Sequence, residues 1–264
     1  MYAFDYKRPK TVAEAEAAFA ADSDAAFLAG GQTLIPTLKQ RLRQPSALID
    51  LAALDALKGI TVADGIVTIG AGVCHADVAV SADVRKAIPA LADLAAQVGD
   101  PQVRNRGTLG GSIANNDPAA DYPAAVVGLD ATVHTSRREI AAAAFFTGMF
   151  ETALEPGELV VKVSFPIPRR AAYQKFRNPA SRYAVVGVMV AETAGGMRVA
   201  VTGAGPCVFR VPTMEAALAM NFSAGALQNI QVPPDDLNAD LHATSEYRAH
   251  LIGVMATRAV ASIA

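Results

Sequence analysis

Two segments gather the residue types that hold an anion through the backbone: "AGGQTLIP" (29–36) and "RGTLGGSIANND" (106–117). Glycine lets main-chain N–H groups approach an anion with no Cβ in the way, and successive N–H groups can form a concave nest. Thr33, Thr108 and Ser112 add hydroxyl donors. The first segment also runs into a helical pattern, whose N-terminus favours phosphate. Charge-assisted hydrogen bonds to such an anion are each worth roughly 1.5–3 kcal/mol, so several would hold a diphosphate tightly. Taken singly, each segment is equally an ordinary loop; both in one chain point to an anionic ligand. Asp121, just beyond, is the right type to accept from ribose hydroxyls. It also stands at the N-cap position before "YPAAVV", a role that geometry alone favours.

Other candidates carry less. "TIGAGVCHAD" (68–77) begins G-x-G after a strand, but His75 occupies the third glycine position. "VTGAGPC" (201–207) fails likewise, with Val208 at that position. Both read as strand-end turns, and no G-x-x-x-x-G-K-[ST] occurs. Cys74 and His75 are sequence neighbours, so their side chains point apart and read as structural rather than as a nucleophile and base. His134 alternates with apolar neighbours as a solvent-side strand residue, and His242 and His250 read as surface. No catalytic residue is assigned.

The elements that must position the two glycine segments follow from periodicity. A short apolar strand (25–31) enters the first glycine pair. A helix (33–42) leaves it, with Thr33 as N-cap and Pro36 in its first turn. Residues 104–123 have too little apolar content for a core strand and too many small residues for a good helix. Asp64-Gly65 makes a two-residue hairpin turn within 59–72. A helix over 89–99 opens on Pro89 and stops at Gly99; a helix and then a strand occupy 121–136; a strand covers 158–166. From about residue 171 three strands form an antiparallel meander, followed by helices at 213–220 and 244–263. The order implies an α+β chain whose boundary falls at "PIPRR" (166–170).

Composition sets outer limits. With 264 residues, 52% of them hydrophobic and 18% charged, the chain can build a sizeable core in two parts. A net charge of −2 gives no footprint for nucleic acid, and the mild basic cluster Lys39–Arg43 reads as a solvated helix face. Charges in "MYAFDYKRPK" leave no apolar export signal, which predicts a cytoplasmic chain, and no apolar run is long enough to span a bilayer. Two cysteines, Cys74 and Cys207, are too few for an iron–sulfur cluster, and four His with two Cys show no zinc-ligand spacing.

"AGGQTLIPTLKQRL…LIDL", "VRNRGTLGGSIANNDPAADYPAA", "TALEPGELV" and "EYRAHLIGVMATRA" together resemble the FAD-binding (medium) subunit of molybdenum-containing hydroxylases, the family of aerobic carbon monoxide dehydrogenase and bacterial xanthine dehydrogenase-like flavoprotein subunits. The resemblance implies a vanillyl-alcohol oxidase-type FAD-binding fold: two small α/β subdomains (about 1–56 and 57–168), then a C-terminal domain (169–264) of antiparallel sheet with helices. It implies that Ala29, Gly30, Gly31, Gln32, Thr33 and Leu34 line the diphosphate from one side and Thr108, Leu109, Gly110, Gly111 and Ser112 from the other. It further places Asp121 on the ribose, Leu159 and Val160 at the flavin ring, and Lys175 and Tyr183 near the cofactor. Gln32 stands where some distant relatives carry the histidine that attaches FAD covalently, so noncovalent FAD is expected. The implied partners are a [2Fe–2S] small subunit and a molybdopterin-binding large subunit, with electrons leaving FAD to an external acceptor. A stand-alone flavin oxidoreductase of the same fold is the alternative.

Overall fold

The computed structural model describes residues 1–263. Among them the strands form four sheets. The first is parallel: Asp5–Lys7 and Ala26–Leu28 flank Ala47–Asp50. Its crossovers are the helices Val12–Ala20 and Leu34–Lys39. The second is antiparallel, in the order Ile60–Ala63, Ile66–Gly70, Val160–Pro166, Thr132–Thr135, Glu139–Ala141. A two-stranded ribbon, Phe146–Gly148 with Glu151–Thr152, makes a third. The fourth is the meander Arg170–Arg177, Ala184–Thr193 and Gly196–Thr202, with Phe209–Arg210 added at the edge. Mixed parallel and antiparallel sheets with helices make an α+β molecule, as the element order implied.

Local chemistry explains most of these elements. Asp64 and Gly65 have φ of 50° and 75°, the positive values that a tight hairpin of this twist requires. Pro89 opens the helix Pro89–Ala96, and Gly99 follows it with φ 51°. Ala184–Thr193 is buried along nearly its whole length because it lies between two helical layers. One face packs on the final helix Ser245–Ala261, and the other reaches Tyr122–Gly128. A core of Val186, Val188, Val199, Leu251 and Met255 closes the first interface. Met189, Ala191 and Ala200 join the larger core of the preceding sheets.

Two local expectations need correction. Leu34–Lys39 ends well before residue 42, because Arg41 takes φ 60° and the Leu42 amide turns back to the Thr37 carbonyl. Thr33 makes no capping hydrogen bond with its side chain. The glycine-rich segment 104–123 is half helical, with helices Pro101–Arg104, Leu109–Asn115 and Tyr122–Gly128 at or within its ends. Thr108 Oγ1 caps the middle one by accepting from the Gly111 amide, and Asn116 closes it in the left-handed region at φ 42°. Its small residues are there for contact. A Cβ on Gly110 would lie 2.4 Å from the Cβ of Ala71, so only glycine lets this helix sit on the 71–73 turn. Packing overrides the poor helix propensity of two glycines.

Candidate functional site

The two glycine segments meet. A Cβ on Gly30 would stand 2.1 Å from the carbonyl oxygen of Arg106, so the first turn lies directly on the backbone that leads into the second. A Cβ on Gly111 would come within 3.5 Å of the Ala29 Cβ. Gly31 has φ 74°, which redirects the chain from the strand Ala26–Leu28 into Leu34–Lys39. Together the turns wall a cavity of about 800 Å³, within the range of small-molecule and cofactor pockets.

Fourteen of the expected residues line this cavity: Ala29, Gly30, Gly31, Gln32, Thr33, Leu34, Thr108, Gly110, Gly111, Ser112, Asp121, Leu159, Val160 and Tyr183. Leu109 does not; its side chain is fully buried in the core. Lys175 does not line it either, and its ammonium lies behind the wall, 2.9 Å from the Asp121 carboxylate and 3.0 Å from the Gln97 carbonyl oxygen.

The two segments do different work at the cavity. None of the amides of residues 29–34 donates to a protein acceptor among the described residues. Six consecutive N–H groups without protein partners, on half-buried or exposed residues that line the cavity, leave donors open to an oxygen-rich ligand. The amides of the second segment are already committed. Leu109 N–H donates to Val73 O, Gly110 N–H to Ala71 O, Gly111 N–H to Thr108 Oγ1 and Ser112 N–H to Thr108 O. Both turns were expected to offer a nest; only the first leaves its amides without protein partners. The second supplies close packing and the cavity-lining Thr108 and Ser112. A Gly110→Val variant would collide with Ala71 and report on folding, not on anion approach.

Asp121 corrects the N-cap reading of it. It stands at the N-cap position of Tyr122–Gly128 but makes no capping bond with its side chain. The buried carboxylate instead accepts from the Tyr173 hydroxyl at 2.6 Å and from Lys175. Burial pushes its pKa up, opposed by the Lys175 charge and the Tyr173 hydrogen bond. A carboxylate has about four lone-pair sites, so these two donors leave room for a ribose hydroxyl on the cavity side.

Several lining residues were given no site role from sequence, Arg43 among them, whose cluster Lys39–Arg43 was read as a solvated helix face. Arg43, Lys58, Arg106 and Arg182 bring cations to the walls. Arg106 and Arg182 adjoin residues that the motifs did mark, Gly107 and Tyr183, and their charge was the available signal. The "GAGVCH" turn, set aside as a strand end, also faces the cavity through Ala71, Gly72, Cys74 and His75. Burial, with the Arg104 charge, lowers the His75 pKa to about 4, so the imidazole is neutral. His75 Nδ1 and the Tyr122 hydroxyl, on rings tilted at 43° with centroids 5.3 Å apart, are buried and unpartnered among the described residues. Burial raises the Cys74 thiol, which keeps it protonated and unreactive. A second polar cluster has hydroxyl–imidazole–carboxylate order: Ser164 Oγ lies 2.8 Å from His134 Nε2, and Glu139 lies 3.0 Å from His134 Nδ1. It sits on a sheet face, lines neither described cavity, and its neighbouring amides serve the strand ladder, so no oxyanion site accompanies it.

Residues 2–168 match the family model for the FAD-binding domain in molybdopterin dehydrogenases. The chain belongs to this family. FAD is its cofactor, and its class is oxidoreductase. The carbon monoxide dehydrogenase medium chain of Hydrogenophaga pseudoflava is 34% identical across 97% of this chain and 96% of that one. The nicotine 6-hydroxylase medium subunit of Paenarthrobacter nicotinovorans is 31% identical across 98% and 96%. Among solved structures, carbon monoxide dehydrogenase from H. pseudoflava gives a TM-score of 0.88 over 98% of this chain and 96% of that chain, at 34% identity. Quinoline 2-oxidoreductase from Pseudomonas putida 86 gives 0.89 over 99% and 96%, at 30% identity. Near-complete coverage on both sides makes this FAD-family chain a medium subunit of the molybdenum hydroxylase type. No helix among the described residues is long and apolar enough to cross a membrane.

Proposed function

We propose that this medium subunit relays electrons: it takes them from the [2Fe–2S] clusters of a small subunit, fed by a molybdopterin-binding large subunit, and delivers them to an external acceptor. The observation that carries the reading is the run of amides at 29–34 without protein partners, on residues that line a cavity of about 800 Å³. That run fits the diphosphate of noncovalently held FAD, with Thr108, Ser112 and the cation Arg106 on the opposite wall. Asp121 would accept from the ribose, fixed in place by Tyr173 and Lys175 from the meander. Lys175 is therefore a positioning residue. Leu159 and Val160 from one side and Tyr183 from the other would flank the ring. FAD, when bound, supplies a carrier that gains and loses electrons; this chain's residues place it and exclude water.

We read residues 1–168, in parts of about 1–56 and 57–168, as the cofactor region and 169–264 as the region that supplies Lys175 and Tyr183. With two cysteines and no metal-binding cluster among the described residues, this chain depends on partners for any iron–sulfur step. Native affinity purification of the tagged chain from its host tests the reading. Flavin, iron and molybdenum should come together in fixed proportion. A complex-free chain that holds FAD and oxidises an organic substrate by itself would overturn it.

A further inference from the structure

We propose that Phe150 is a specificity-determining contact for the cofactor: its phenyl ring packs against the flavin ring, and Asn116 is the positioning residue that holds it there. The inference rests on the reading that FAD fills the cavity of about 800 Å³.

Phe150 runs against local preference. Its φ is 57°, in the left-handed region, where a bulky side chain crowds its own backbone. It is 57% exposed, although a phenyl ring gains most from being covered. It lies at the tip of the ribbon formed by Phe146–Gly148 and Glu151–Thr152, where Gly, Asn or Asp would turn the chain without strain. Strain of this kind persists only where the surrounding structure holds it, and it collects at ligand sites. Arg182 repeats the pattern: its φ is 63°, and it lines the same cavity next to Tyr183.

Asn116 does the holding. Its carbonyl accepts from the Phe150 amide at 3.1 Å, and its side-chain amide donates to Gly148 O at 2.8 Å and Glu151 O at 2.7 Å. Asn116 is fully buried and directly follows the helix Leu109–Asn115, which carries Ser112 on the cavity wall. The ribbon tip is thereby fixed to an element of the cofactor site. A turn that only faced solvent would need neither the clamp nor the ring.

Place within the cavity selects the part of the cofactor. Phe150 and Tyr183 also line the smaller cavity next door, whereas none of residues 29–34 does. Phe150 therefore belongs to the Tyr183 end, away from the turn assigned to the diphosphate. Phe27, the other phenylalanine of the lining, lies on the strand that enters that turn. A flat ring system at the Tyr183 end covers the exposed Phe150, and contact between two rings is favourable beyond the area it buries. The adenosine, beyond the diphosphate, does not reach it.

ADP separates the two ends, because it has the diphosphate and adenosine of FAD but no flavin ring. The full chain, freed of cofactor, is titrated calorimetrically with FAD and separately with ADP. Phe150→Ala should bind FAD about tenfold or more weakly and ADP as the wild type does. Phe150→Tyr, which keeps a ring, should stay within about threefold of the wild type for FAD. Phe150→Gly removes ring and strain together. It should lose FAD affinity as alanine does, yet melt without cofactor at or above the wild-type temperature, which a merely structural residue would not do. Unchanged FAD affinity in the alanine and glycine variants would overturn the assignment. So would an equal loss of FAD and ADP, or a tyrosine variant as weak as alanine. A wild-type chain that binds neither ligand would sink this inference together with the proposed function.

Discussion

At Asp121 the chain places a carboxylate and an ammonium, that of Lys175, out of water within 2.9 Å of each other. Removing one member of a buried pair strands the other, which typically costs about 3–5 kcal/mol, whereas replacing both is far milder. Asp121→Asn is therefore expected to lower unfolding stability by about 3 kcal/mol, and adding Lys175→Met should restore part of it. Denaturant unfolding of the two single variants and the double variant measures the coupling; strictly additive losses would show that the ion pair is idle. His75 gives a pH dependence. Its pKa is about 4 in the folded chain against 6.5 in the open one, so the unfolded state binds the proton first. Its contribution is present above pH 6.5 and is lost as pH falls toward 4, by up to about 3 kcal/mol. Glu158 sits the other side of that window. Burial raises its carboxyl, but Arg138, the Glu155 amide and Thr135 outweigh this and hold it at about 2, so its contribution fades only below 4.5. Replacing His75 with Gln should thus flatten stability between pH 6.5 and 4.5; an unchanged slope there would mean that another group titrates.

At the scale of elements, the short helix Leu109–Asn115 shows what sequence reading reaches and where it stops. Its glycines were legible as an unusual feature but not as helix, because their reason lies in Ala71, far away in the chain. The same limit hid the difference between the turns. Residues 29–36 and 106–117 look alike in type, yet pairing with the distant Val73 and Ala71 and with the segment's own Thr108 uses up the amides of the second. Patterns that depend on neighbours in sequence were easier. The Asp64-Gly65 hairpin, the Pro89 helix start and the meander from residue 170 are set by local φ preferences and alternation. Asn116 joins the two levels. Fully buried, it ends the helix at positive φ and donates to the carbonyls of Gly148 at 2.8 Å and Glu151 at 2.7 Å. Asn116→Ala is expected to cost about 2–3 kcal/mol, since two buried carbonyls lose their donor. Asn116→Gly keeps the backbone conformation and should cost nearly as much in thermal unfolding. Full recovery by glycine would place the whole effect in φ.

Across the whole molecule, the cofactor cavity draws walls from the parallel sheet, the glycine-rich helix, the strand Val160–Pro166 and the loop before Ala184–Thr193. A ligand that touches all of these stabilises them jointly. With free FAD at about 100 times its dissociation constant, binding adds about 2.7 kcal/mol, which for a chain of this length corresponds to roughly 5–10 °C in Tm. Calorimetric melting of the chain with and without added FAD checks this; coincident melting curves would mean that the walls form a cavity for something else. The most direct measurement is a crystal structure of the chain with FAD bound. The account predicts diphosphate oxygens within hydrogen-bond distance of the amides of residues 30–34, with the ring toward Tyr183. A diphosphate resting elsewhere, with those amides facing only water, would contradict it.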